Sequence, residues 1–187
     1  MIRRVRGILF VDYVRMLRAQ KTVNWRDHLP AEDIWFLSTR IDPDAWYPME
    51  TFERLGLAIL RTIAMGQLDA VRMWGGFQVG SVRRMLPNLI AEGDPQETMM
   101  RFRVLATSFF DYGALTVETV EHDHAVVSVL YGMSQLAEET ACTQTLGFFE
   151  RMVEVSGAIS IDASFTARSW LGDEKTLIDL FWRLPGK

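Results

Sequence analysis

The sequence holds a single cysteine, only three histidines and no long apolar run, and each shortage removes a class of protein. With Cys142 alone, no intrachain disulfide framework can form. The apolar stretch from Ile8 to Val11 is stopped at once by Asp12, too early for a secretory h-region, so a reducing, cytoplasmic setting is expected. No segment approaches the roughly 18 apolar residues that a membrane helix requires. Positive charge is not in excess either. Twenty basic against 24 acidic side chains leave a formal charge of -4, which offers no broad field for a phosphate backbone, and a nucleic-acid partner is not expected. Arg3, Arg4 and Arg6 cluster near the start and read as a solvated end.

What is present is apolar and aromatic. The chain of 187 residues is 49% hydrophobic, with six Trp and eleven Phe, enough to build a substantial core and to exclude disorder. No internal repeat or linker divides it, so one domain over residues 1–187 is expected, with a helical half (1–110) and a half of sheet plus helix (111–187).

In the first half, apolar positions recur every three or four residues. Val5, Ile8, Leu9, Tyr13, Met16 and Leu17 predict an opening helix over 5–20, and a short helix is expected to follow Pro30. Pro48 suits a first helical position ahead of the stripe Phe52, Leu55, Ile59 and Ile63. Leu68, Val71, Gly75, Val79, Val82 and Leu86 share one face of a helix over 67–86, where Gly75, Gly76 and Gly80 predict a close helix approach, a kink or a break. A helix over 95–110, with Asp94 as N-cap, carries Met99, Phe102, Leu105, Ala106 and Phe109.

The period changes after Gly113. Residues 115–120 and 125–131 read as a hairpin around the polar turn of Glu121, His122, Asp123 and His124. A helix over 139–156 follows, with Cys142, Leu146, Phe149 and Val153 on a stripe widened by Phe148, Met152 and Val155, and with Gly157 closing it. Ile159 to Ala167 alternates as a half-solvated strand, and 175–183 is the last strand, apolar on both faces and expected to be a covered edge. The expected class is α+β: N-terminal helices packed with a C-terminal four-stranded antiparallel sheet interrupted by one helix, ββαββ.

No catalytic set can be assembled from these residues, and the expectation is a protein that is not an enzyme. The glycines from Gly75 to Gly80 follow a helical segment rather than a strand, so helix packing explains them better than a phosphate loop. His122 and His124 are spaced to share a metal, but a solvated turn accounts for them, and His28 beside Asp27 reads as a surface pair; no metal site is expected. Cys142 sits at the start of its predicted helix, where the dipole would activate a thiol, yet it also lies on the apolar stripe as a structural cysteine would.

The opening helix with Val5 to Phe10, the start at Trp46 to Phe52, and Cys142 with Gly147, Phe148, Phe149 and Glu150 resemble a paralogous family of Myxococcus-type bacteria. That family is similar in turn to the 4-vinyl reductase domain and to the fold shared by haem NO-binding domains and TRAPP-type trafficking subunits. The resemblance implies helices on a small antiparallel sheet around an apolar pocket, and a small-molecule sensor or an adaptor. The haem NO-binding motif, a proximal His on a helix with Tyr-x-Ser-x-Arg, is missing, so no cofactor is indicated and haem is disfavoured.

The expected function is therefore a non-enzymatic sensing or adaptor module with an apolar pocket between helices and sheet. It would serve a small apolar ligand and a signalling partner or a homodimer. The pocket or packing candidates are Cys142, Leu146, Phe148, Phe149 and Glu150. The alternatives are a structural or oligomeric interaction domain without a ligand and, third, an enzyme dependent on Cys142.

Overall fold

A computed structural model describes residues 2–186. The chain begins with a short strand, β1 (Arg4–Arg6), and only then enters α1 (Gly7–Ala19). The apolar stripe predicted the helix two residues earlier, but Val5 pairs with Tyr47 and also bridges Phe110, so its backbone groups are taken by strand partners. Gly7 marks the change because a Cβ there would strike the carbonyl of Asp42. After α2 (Ala31–Ser38) comes β2 (Trp46–Pro48), the antiparallel partner of β1, and then α3 (Met49–Thr62). Pro48 is the residue just before α3 rather than its first helical position.

The next helix, α4 (Leu68–Met85), runs unbroken through Gly75, Gly76 and Gly80. Of the three expected outcomes, the close approach is the one found. Asp94 accepts a hydrogen bond from the Glu97 amide at 2.9 Å and so caps α5 (Pro95–Leu105), as its position predicted. A turn of 3-10 helix then leads to Phe109 and Phe110.

Four strands form the sheet: β3 (Leu115–Val120), β4 (His124–Val129), then, after α6 (Gln135–Val155), β5 (Ile159–Ala167) and β6 (Thr176–Arg183). Their order is β3-β4-β6-β5, antiparallel throughout, as the ββαββ reading requires. One expectation is corrected here. The last strand is not an edge, because β6 lies between β4 and β5; its inner face, with Ile178, Leu180 and Trp182, is buried, while the outer face carries Asp179, Arg183 and the half-exposed Phe181. The edges are β3, with one register shift, and β5, with two, the first of which accompanies Ser160 at a φ of 50°. Such irregularities blunt an edge against pairing with another chain.

Ile178 and Leu180 on β6 are buried on the inner face of the sheet, where α6 covers them. α6 begins four residues before the predicted start, because Glu138 in its first turn accepts the backbone amides of Tyr131 and Met133 at 2.8 Å each. The opposite side of α6 meets α4. A Cβ on Gly75 would collide with the Gln144 carbonyl, and one on Gly147 with the Arg72 carbonyl, so the helices approach backbone to backbone. Sandwiched in this way, α6 is buried on nearly every side, and Phe149, Met152 and Val153 are fully enclosed.

Candidate functional site

A cavity of about 60 Å³ lies where α1, α3, α4 and α5 converge on α6. That volume is several times the roughly 10–15 Å³ of such space that one water needs and less than the about 150 Å³ that admits benzene in an engineered apolar cavity. Aromatic rings make most of the wall. Tyr13 and Phe52 stack with centroids 4.3 Å apart, and Phe102 meets Phe149 edge-on at 4.9 Å, arrangements that hold both pairs rigid. Leu9 and Gln78 are half-buried and form the side nearest solvent, between α1 and α4.

Two polar pairs interrupt the apolar wall. The Tyr13 hydroxyl donates to Gln144 Oε1 at 2.6 Å, and Tyr131 shares a 2.6 Å hydrogen bond with Thr145, whose hydroxyl also bonds the Ala141 carbonyl at 2.9 Å. Burial pushes both phenols well above their ordinary range, so each is protonated at neutral pH. Among the described residues no Asp, Glu, Lys or Arg lines the cavity. Just outside, Asp12 on α1 faces Ser81 on α4 at 3.4 Å and is held above the usual carboxylate range, chiefly by burial.

The five candidates named from the sequence separate. Phe148 and Phe149 line the cavity. Leu146 is buried elsewhere in the core, and Glu150 leaves the interior for a bidentate pair with Arg72 on α4, one arm of it 2.7 Å long. Cys142 is 0% exposed and turns to the sheet, where its thiol donates to Thr176 Oγ1 at 3.6 Å. The earlier start of α6 removes this residue from the helix end, and the dipole acts only within the first turn. Burial then pushes the thiol up instead, so a reactive thiolate is not populated at neutral pH.

The sequence reading missed Tyr13, Gln144, Thr145 and Tyr131 as cavity residues. A signal existed in α6, where Thr140, Thr143 and Gln144 sit buried among apolar neighbours and each needs a partner. The partner of Gln144 lies in the first helix, and no local pattern could supply it. The histidines are remote from the cavity wall: His124 pairs with Asp179 at 3.1 Å and stacks on Phe181, His28 lies edge-on to Trp25, and His122 is in the hairpin turn.

No family model matches the chain, and no curated protein matches it. Solved structures do. An H-NOX protein from S. oneidensis in the Fe(II)NO ligation state superposes with a TM-score of 0.66 at 11% identity, over 95% of this chain and 99% of that one. A mutant H-NOX of T. tengcongensis gives 0.64 at 13%, over 97% and 100%. An oxygen-binding H-NOX domain related to soluble guanylate cyclases, in its oxygen complex, gives 0.66 at 14%, over 96% of each chain. At such identities the likeness shows the fold. It bears out the haem NO-binding part of the expected resemblance, while the Myxococcus-type and 4-vinyl reductase parts find no support among these matches.

The expectation against haem must be corrected. It rested on a missing sequence motif, and proteins of this same fold, among them one studied for its haem distortion, overturn it. The residues on the cavity wall nevertheless do not fit that group as they stand. Among the described residues no imidazole and no thiolate lies on the wall, and Phe102, Phe148 and Phe149 fill the space beside α5 and α6.

Proposed function

We propose that this chain is a sensory or adaptor module that takes a small molecule into the cavity between its helical half and α6, and passes the occupancy to a signalling partner or a second copy in the cytoplasm. The observation that carries this reading is the cavity's position. Its wall is assembled from α1, α3, α4, α5 and α6 together, so a molecule inside touches both the helical half and the helix that covers the sheet. The H-NOX likeness supports the reading, since oxygen and nitric oxide complexes are described for those proteins.

Xenon-pressurised crystallography together with native mass spectrometry of the purified protein tests it. Occupancy of the cavity by xenon, or a co-purifying small molecule released on unfolding, is the expected result. A cavity that xenon does not enter, in protein carrying no small molecule, sinks the proposal. A parallel titration with haemin reads the haem question directly, through a stoichiometric Soret band.

A second reading, an interaction module without a ligand, draws on one observation. Met73 and Phe77 stand 63% and 71% exposed one turn apart on the outer face of α4. The reading of an enzyme dependent on Cys142 has lost its ground, because the thiol is enclosed between helix and sheet.

A further inference from the structure

Within the cavity reading, on which this inference rests, one polar group stands out. Gln144 is 8% exposed, yet only half of its amide is used. Its Oε1 accepts from Tyr13, while its Nε2, with two N–H donors, has no hydrogen-bond partner among the described residues. Unlike Trp182 Nε1, which is enclosed without a partner among the described residues, Gln144 Nε2 belongs to a residue that lines the cavity, where an occupant can accept from it.

The orientation of that amide is fixed by its neighbour. Tyr13 is buried and its O–H has no other acceptor among the described residues, so the amide orientation that satisfies it is the one in which Oε1 accepts from Tyr13 and Nε2 turns away from it. Tyr13 cannot easily turn away. Its ring stacks on Phe52, and it lies so close to Gly56 that a Cβ there would sit 3.1 Å from it. The second polar pair offers nothing comparable, because the Thr145 hydroxyl is engaged with both the Ala141 carbonyl and Tyr131.

We propose that the cavity selects a small uncharged carbonyl compound, whose oxygen accepts a hydrogen bond from Gln144 Nε2 while its apolar body packs among Phe52, Phe102, Phe148 and Phe149. The absence of any charged side chain from the wall excludes an ionised ligand, which would be buried without a counter-charge. A volume of about 60 Å³ restricts the molecule to a few heavy atoms.

Acetone and isobutene test this, since they share a shape and differ in whether oxygen or a methylene occupies one position. NMR titration of the full chain is expected to show acetone binding about tenfold more tightly than isobutene, the value of one buried hydrogen bond. The Gln144 side-chain amide resonances, identified by their loss in Gln144→Leu, move downfield with acetone only. In Gln144→Leu acetone loses its advantage and isobutene binds the more tightly, because the carbonyl then enters the cavity without a donor. If that variant does not fold, the amide shift in the unsubstituted protein decides alone.

Isobutene and xenon entering while acetone has no advantage, or an amide unmoved by acetone because a cavity water keeps it, overturns the role of Gln144 and leaves the cavity reading intact. A preference for 2-propanol with the amide unmoved overturns it as well. Exclusion of acetone, isobutene and xenon alike overturns both.

Discussion

Trp182 carries an unmet polar atom on the inner sheet face: its indole nitrogen is buried on β6 and has no hydrogen-bond partner among the described residues. A buried donor without a partner costs about 1–3 kcal/mol, against the packing that the large ring supplies. Trp182→Phe removes both together. Its cost in urea unfolding is therefore expected to stay below about 1 kcal/mol, whereas Trp182→Ala should cost the 3–5 kcal/mol of a large core truncation. A Trp182→Phe loss well above about 1 kcal/mol would mean that the indole nitrogen is not an unmet donor. Other single residues were readable without the fold. Asp94 was recognisable as a cap because capping needs only a short polar side chain before an apolar run. Cys142 was ambiguous because its chemistry depended on where α6 begins, and the first-turn role of Glu138 is set by loop amides of Tyr131 and Met133.

At the scale of elements, the crossing of α4 and α6 is set by two glycines. Gly75→Ala should cost at least the roughly 1–3 kcal/mol of an overpacked core, because the new Cβ meets backbone that no rotamer change can move aside. Gly80→Ala, where a Cβ approaches only the far end of Arg84, should be neutral or slightly stabilising through helix propensity. Comparison of the two urea midpoints checks this, and equal midpoints would count against the tight crossing. The sequence showed that these glycines were unusual in a helix but not which one touched a neighbour, since contact is a property of the pair. The misassigned edge has a similar cause. Strand order is decided by pairing, and β6 looked the same whether covered by a strand or by a helix.

A pH dependence belongs to the α1–α4 gap. Burial raises the Asp12 carboxyl above its ordinary 3.8, with Arg15, Ser81 and Arg84 offsetting part of the shift. The folded state therefore binds this proton more readily than the unfolded one, and ionised Asp12 costs stability at neutral pH. The cost fades as pH falls through the raised value and is gone below about 3.8. Asp12→Asn should thus raise the urea midpoint at pH 7 and lose that advantage in acid. An advantage that persists or grows below pH 4 would contradict the assignment.

For the whole molecule, the change of period at Gly113 and the alternation from Ile159 to Ala167 were enough to recover the α+β layout. The β1–β2 pair was not legible, because three-residue strands carry no periodicity and Val5 fits a helical stripe equally well. The cavity was legible only on its α6 side, through Phe148 and Phe149. The rest of its wall comes from other helices and from Phe109, Phe110, Leu115 and Tyr131, whose apolar faces look like ordinary core until they are assembled.

The hydrogen bond from Tyr13 to Gln144 joins residues 131 positions apart. During synthesis from the N-terminus, α1 and α3 are complete long before α6 leaves the ribosome. Through that interval Tyr13 and Phe52 can stack on each other but have no roof, so the nascent chain presents an open aromatic face to the cell. Closure waits for one late helix, and the chain is most exposed to misassociation just before residues 135–155 emerge.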